Sequence, residues 1–126
     1  MKAAVVTTLS LGLLVVVALG AGCQKSSPPP TALTVEELPA VVEKAFSKAK
    51  PDTRTLASQV VAFVQAQEYP KAFQALQTLA NGPDLTKEQL SVTSRATLTV
   101  NGLLQTAQSQ GDQNAAQTLQ NYRLDK

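Results

Sequence analysis

From residue 34 onward, apolar residues recur at helical spacing in segments that are separated by prolines. Proline lacks a backbone N–H and disfavours the helical conformation in the residue before it, so each proline marks a boundary. Apolar residues at i, i+3 and i+4 form one face of an amphipathic helix, which must be buried against another helix. The sequence therefore predicts an all-α domain of about five helices in antiparallel hairpins, either stacked or packed as a small helical bundle.

Capping residues give the expected start of the first helix. The Thr34 hydroxyl can cap it while Glu37 reaches back to the cap, although Pro39 is an alternative marker of the first turn. The first helix is expected to end at Pro51, and Asp52 or Thr53 to cap the second.

The later boundaries follow the same rules. Pro70 should occupy the first position of the third helix, and the Asn-Gly-Pro run at 81–83 should end it, with the glycine available for a left-handed cap. A second capping box at 86–89 opens a long fourth helix, and Gly111 ends it before Asp112 caps the fifth.

One stretch of the fourth helix also carries a hairpin signal. Asn101-Gly102 among β-branched residues favours a two-residue β-turn. We predict a helix because strands there would lack partners and the flanking segments keep helical spacing. Close packing of another helix over Gly102 would explain a glycine in the helix interior, which costs about 1 kcal/mol relative to alanine.

The apolar stripes predict the buried positions. They are Leu38, Val41, Val42, Ala45, Phe46 and Ala49 in the first helix; Leu56, Ala57, Val60, Val61, Phe63 and Val64 in the second; Ala72, Phe73, Leu76, Leu79 and Ala80 in the third; Leu90, Thr93, Ala96, Thr97, Val100, Leu103, Leu104 and Ala107 in the fourth; and Ala115, Ala116, Leu119 and Tyr122 in the fifth. Tyr69 and Tyr122 lie near helix ends, where they can cap the edge of the core or line a groove.

The amino-terminal segment has the organisation of an export signal. Lys2 supplies a positive charge, residues 3–22 carry none, and small residues precede Cys23, the single cysteine of the chain. A membrane-spanning helix is an alternative, but polar residues and glycines dilute the run and no basic cluster follows it. An ordinary signal peptide is another alternative, although it leaves Cys23 unexplained.

The run Ala21-Gly22-Cys23 resembles the end of a bacterial lipoprotein signal, from which it departs at Gly20, where that family commonly has an aliphatic residue. The resemblance implies a diacylglyceryl group on the Cys23 sulfur, cleavage before Cys23, and acylation of the new amine with a fatty acid such as palmitate. Two or more acyl chains anchor a protein stably in a bilayer. Gln24 after the cysteine implies export to the outer membrane, facing the periplasm.

These assignments divide the chain into three parts. Residues 1–22 are the expected lipoprotein signal peptide, 23–33 the lipidated cysteine with a Pro/Ser-rich linker, and 34–126 the helical domain. Three consecutive prolines and few apolar residues are typical of an extended, semi-rigid spacer. The linker would hold the domain away from the membrane.

A second pattern is an internal repeat. Residues 65–79 match residues 108–122 at six of fifteen positions with an offset of 43, although a chain rich in Gln and Ala can match itself by chance. The segment Glu68-Tyr69-Pro70-Lys71-Ala72, followed by Leu76, resembles the turn and second helix of a tetratricopeptide repeat, despite the longer period. The resemblance implies stacked helical hairpins with a peptide-binding groove.

Composition excludes several kinds of site. The chain has no histidine, which removes the commonest general base and metal ligand, and its serines at 47, 58, 91 and 94 lack such a base. It has no phosphate-binding glycine loop and no metal-ligand spacing, so we expect neither a cofactor nor a metal. After residue 22, ten basic residues face nine acidic ones, a balance that does not indicate nucleic-acid binding.

The expected function is therefore that of a noncatalytic envelope protein. It would be anchored in the lipid bilayer through acylated Cys23 and would bind a protein or peptide, with Gln65, Gln67, Gln74 and Gln77 as candidate contacts. A structural or assembly role without a defined ligand is the main alternative, and an enzyme is a more distant one.

Overall fold

The structure, a computed structural model, describes residues 29–125. In that range the chain forms five α-helices and no β-strand: α1 (Leu38–Phe46), α2 (Pro51–Gln65), α3 (Tyr69–Ala80), α4 (Lys87–Ser109) and α5 (Gln113–Leu124). The prediction of an all-α domain with five helices is confirmed. The predicted signal peptide, Cys23 and the first part of the predicted linker lie outside the described residues.

The first four helices form a closed ring. Each packs against the next along the chain, and α1 also packs against α4. The fifth helix, α5, packs mainly against α4 and makes a smaller contact with α3. Of the two arrangements that the sequence leaves open, these contacts correspond to a small helical bundle.

The hydrophobic core lies inside this ring. The largest fully buried side chains all come from its four helices: Phe46, Leu38, Leu76, Leu104, Val42, Val60 and Val100. The contribution of α5 is smaller, with Ala115 and Leu119 as its buried residues. Since burial of apolar area is the main stabilising term, α5 is held more weakly than the other helices.

The capping box predicted before α1 is present. The Thr34 hydroxyl accepts a bond from the Glu37 N–H at 3.1 Å, and the Glu37 carboxylate accepts bonds from the Thr34 N–H and hydroxyl. The α-helix itself begins at Leu38 with Pro39 in its first turn. Both sequence features are therefore present in the structure: the capping box forms in the turn before α1, and Pro39 lies in the first turn of the helix.

Packing extends further toward the amino terminus than residue 34. Leu33, which the sequence pattern assigns to the linker, is only 3% exposed, and its carbonyl accepts a 2.6 Å bond from the Thr99 hydroxyl. The Thr31 carbonyl accepts a 2.9 Å bond from Arg95 Nε. Residues 31–33 are thus held along α4, although they belong to no helix.

Two helices begin earlier than expected, α2 by two or three residues and α3 by one. Pro51 itself opens α2, after an N-cap residue, Lys50, whose side chain makes no capping bond to the helix, so neither Asp52 nor Thr53 is the cap. Tyr69 opens α3 and places Pro70 at the second position. Proline is suited to the first turn because its φ is already helical and the first N–H groups have no partner within the helix.

The left-handed turn residues also differ from the expectation. Gln67 after α2 and Gly111 after α4 have positive φ, of 59° and 93°, whereas Gly82 does not. A Cβ on Gly82 would lie 3.1 Å from the Leu79 carbonyl oxygen, so close approach of the backbone restricts this position. A side chain there would crowd the Leu79 carbonyl, and Gly82 does not form the expected left-handed cap.

Most of the predicted buried positions are confirmed, but two are wrong. Leu90 is 44% exposed and Ala80 is also exposed. Within the helices, four residues outside the predicted stripes are buried: Ala75, Gln89, Val92 and Thr99. The reason in α4 is that this helix contacts α1, α3, α5 and the amino-terminal segment, so its buried face is wider than one stripe.

The segment with the hairpin signal is helical, as predicted, but the expected reason for its glycine is wrong. No heavy atom other than its local neighbours lies within 4 Å of a Cβ built on Gly102, and the residue is exposed. Packing of the fourth helix against its neighbours overrides the local turn preference, since propensity is a weak determinant beside tertiary contacts. No helix covers Gly102.

Candidate functional site

A polar groove runs between α3 and α5. It consists of two adjoining depressions of about 680 and 420 Å³, and Gln74, Thr118 and Asn121 border both. The groove follows from the packing, because α5 is seated mainly on α4 and touches α3 less extensively. We call this surface the α3/α5 groove.

An aromatic pair joins the two helices beneath this groove. The rings of Phe73 and Tyr122 meet edge to face, with centroids 5.1 Å apart and planes at 84°. Phe73 is 3% exposed, while Tyr122 is half-buried and lines the larger depression. Such pairs contribute about 0.5–1.5 kcal/mol beyond their buried area, so the pair helps to hold α5 against α3.

Amide side chains dominate the walls. The groove is lined by Gln67, Gln74, Gln77, Asn114, Gln117 and Asn121. Each amide offers both hydrogen-bond donors and an acceptor. The hydroxyls of Thr78 and Thr118 also face the groove but donate to the carbonyls of Gln74 and Asn114 in their own helices, at 3.1 and 2.8 Å. The amides are therefore the groups best suited to a hydrogen-bonding ligand.

The charged residues that line the groove are three carboxylates and one ammonium. Lys71 lies 3.2 Å from the Glu68 carboxylate and 5.9 Å from the centre of the Phe63 ring. Asp112 caps α5, accepting bonds from two backbone N–H groups at 2.9 and 3.1 Å. Asp125 follows α5 at the other end. The lining thus carries a net negative charge.

The groove brings together three of the four glutamines that the sequence suggests. Gln67, Gln74 and Gln77 line it, whereas Gln65 does not. Of the two tyrosines, Tyr122 both packs on Phe73 and lines the groove, and Tyr69 packs at the edge of the core.

On the α5 side of the groove, sequence reasoning identifies Tyr122 but none of the amide side chains. These amides are those of Asn114, Gln117 and Asn121. The internal repeat carried a signal for one of them, because the offset of 43 aligns Gln74 with Gln117. Both members of this matched pair line the groove.

The repeated segments form similar helical hairpins. In each, the first helix ends in a Schellman motif: the N–H groups of Glu68 and Asp112 bond the carbonyls of Phe63 and Ala107 at 2.8 and 3.0 Å. These turns are offset by 44 residues, while the buried positions of the second helices are offset by 43. The α3/α5 groove lies between the second helices of the two hairpins.

The ionisable groups with shifted pKa values lie outside the groove. Hydrogen bonds from Thr34, with a contribution from Arg95, lower the pKa of the Glu37 carboxyl, and the bond to Asp84 raises the pKa of the Lys50 amine. The serines at 47, 58, 91 and 94 are exposed. The two shifted groups therefore lie at the capping box before α1 and at the start of α2, away from the groove.

Within residues 29–125, no group of three or more Cys, Asp or Glu residues is placed to hold a metal ion. None of the helices in that range is long and apolar enough to cross a membrane.

No protein-family model matches the chain, and neither a curated protein nor a solved structure matches it.

Proposed function

We propose that this protein is a membrane-anchored envelope lipoprotein whose noncatalytic helical domain binds a protein or peptide in the α3/α5 groove. The observation that carries the proposal is the convergence on one groove of six amide side chains, five from α3 and α5 and one, Gln67, from the turn before α3. Amides present the same donors and acceptors as a peptide backbone, so the walls are complementary to an extended chain.

The dimensions of the groove suit such a segment. The twelve residues of α5 span about 18 Å at 1.5 Å per residue. An extended chain advances about 3.3 Å per residue, so the groove accommodates roughly five or six residues. The part of the sequence that resembles a tetratricopeptide turn contributes Glu68, Pro70 and Lys71 to one end of the groove.

The attachment of the amino-terminal segment to α4 is compatible with both the proposed membrane anchor and the proposed binding of a ligand in the groove. Arg95 and Thr99 of α4 hold the backbone of residues 31–33, and neither residue lines the groove. A tether that leads from the domain to acylated Cys23 therefore uses a different surface from the proposed ligand. The protein can remain anchored in the outer membrane while the groove is occupied.

Site-specific photocrosslinking in intact cells tests the binding function. A photoreactive residue in place of Gln74 should capture a stoichiometric protein partner, and the same residue in place of Gln59, an exposed position of α2, should not. Absence of any crosslinked partner at Gln74, Gln117 and Asn121 would favour the alternative, a structural or assembly lipoprotein without a defined ligand.

Acyl labelling tests the anchor separately. Cys23→Ser should abolish incorporation of a labelled fatty acid and leave an unprocessed or released chain, while Ser27→Ala should be labelled as the unchanged protein is. Separation of inner and outer membranes should place the labelled protein in the outer fraction. Unchanged labelling of Cys23→Ser would exclude the lipoprotein assignment.

A further inference from the structure

We infer that the ligand of the α3/α5 groove is an extended polypeptide segment that carries basic side chains, an inference that rests on the proposed function. The charged residues that line the groove determine its sign. The Lys71 ammonium is paired with Glu68 at 3.2 Å, which leaves the negative charges of Asp112 and Asp125 uncompensated within the lining. A cationic ligand is attracted to this surface, and an anionic one is repelled.

The two ends of the groove differ in how strongly they attract a positive charge. Asp112 lies at the amino end of α5, where the helix dipole is positive and where its Oδ1 atom already accepts two backbone bonds. Asp125 lies at the carboxyl end, where the dipole is negative and adds to the carboxylate. A basic side chain of the ligand is therefore expected at the Asp125 end.

The amides between these ends define the rest of the ligand. Gln74, Gln117 and Asn121 lie along the groove and can bond the backbone of an extended segment without selecting its side chains. A neutral glycan can also bond amides, but it has no positive charge to place beside Asp125. The combination of amides with net negative charge favours a basic peptide.

Binding of three labelled hexapeptides to the purified full-length protein in a neutral detergent tests the inference. The peptides consist of Ser and Ala and contain two Lys, two Glu or neither, and fluorescence anisotropy gives their affinities. The dilysine peptide should bind about threefold more tightly than the neutral one and about tenfold more tightly than the diglutamate one. This preference should weaken as salt is raised to about 0.5 M.

A pair of variants locates the charge effect. Asp125→Asn should remove most of the preference for the dilysine peptide over the neutral one, because it removes one carboxylate charge beyond the last helix. Asp52→Asn, on α2 and outside the groove, is the matched control and should behave as the unchanged protein does. Circular dichroism checks that both variants are folded.

The outcomes separate the inference from the proposed function. Equal affinities for all three peptides would overturn the charge preference and leave peptide binding supported. Equal effects of Asp125→Asn and Asp52→Asn would overturn the placement of the basic side chain. A labelled neutral chitooligosaccharide is measured in the same way. If it binds and none of the three peptides does, both the inference and the proposed function are overturned.

Discussion

The hydroxyl of Thr99 donates a 2.6 Å hydrogen bond to the carbonyl of Leu33, linking the middle of α4 to the chain that precedes α1. Both residues are buried, with exposures of 7% and 3%. The Leu33 side chain packs into the core while its carbonyl is bonded to α4. The segment that leads toward the proposed membrane anchor is therefore part of the domain's packing.

Replacement of Thr99 by Val should destabilise the domain by about 1–2 kcal/mol. Valine retains the volume of threonine but leaves the Leu33 carbonyl without its donor. Thr106→Val is the matched control, because that exposed hydroxyl bonds the Gly102 carbonyl of its own helix, and its effect should stay within about 0.5 kcal/mol. Urea unfolding measures both, and equal losses would contradict the role of the link.

Replacement of Leu33 by Ala should cost about 2–4 kcal/mol of unfolding free energy. The substitution removes apolar contacts from a side chain that is 3% exposed and leaves a cavity. Val35→Ala, at a position that is 41% exposed, should cost less than about 1 kcal/mol. A small effect of Leu33→Ala would show that the packed domain begins at residue 34, as the sequence pattern suggests.

The two glycines of α4 and its turn should respond to alanine in opposite directions. Gly102 lies within the helix with open space around its Cβ position, so Gly102→Ala should stabilise the domain by about 0.5–1 kcal/mol. Gly111 has a φ of 93°, so Gly111→Ala should destabilise it by about 1 kcal/mol. Thermal unfolding of both variants distinguishes them, and a loss of stability in Gly102→Ala would show that another contact requires the glycine.

Local signals in the sequence predict the helices well. The box of Thr34 with Glu37 and the box at 86–89 both form, because they involve residues three apart whose geometry depends little on the rest of the chain. The apolar stripes predict most buried positions for a similar reason. Such features depend on the period of the helix and on short-range hydrogen bonds.

The features that escape prediction depend on which helices meet. The burial of Leu33 and Thr99 requires the amino-terminal segment to lie along α4. The glutamines of α3 are recognisable as a polar face, but Asn121 becomes a groove residue only when α5 packs beside α3. Pairing of helices is encoded over long sequence separations, where single-residue patterns carry little information.

The capping box at Glu37 should make stability depend on acidic pH. Hydrogen bonds from Thr34, and to a lesser extent the Arg95 charge, lower the pKa of the Glu37 carboxyl below its ordinary value of 4.5. A group with a lowered folded-state pKa contributes stability above the unfolded-state pKa and loses it as pH falls through the folded-state value. The contribution of Glu37 is therefore fully present at neutral pH and is lost below about pH 4.5.

Thermal unfolding of the Glu37→Gln variant between about pH 3 and pH 7 tests this dependence. The variant should melt at a lower temperature than the unchanged protein near neutral pH, and the two should converge as the carboxyl of Glu37 is protonated. Glu36→Gln is the matched control, since it removes a charge from the same turn and leaves the bonds between Thr34 and Glu37 in place. A difference for Glu37→Gln that stays constant down to about pH 3 would show that the ionised carboxylate is not what stabilises the turn.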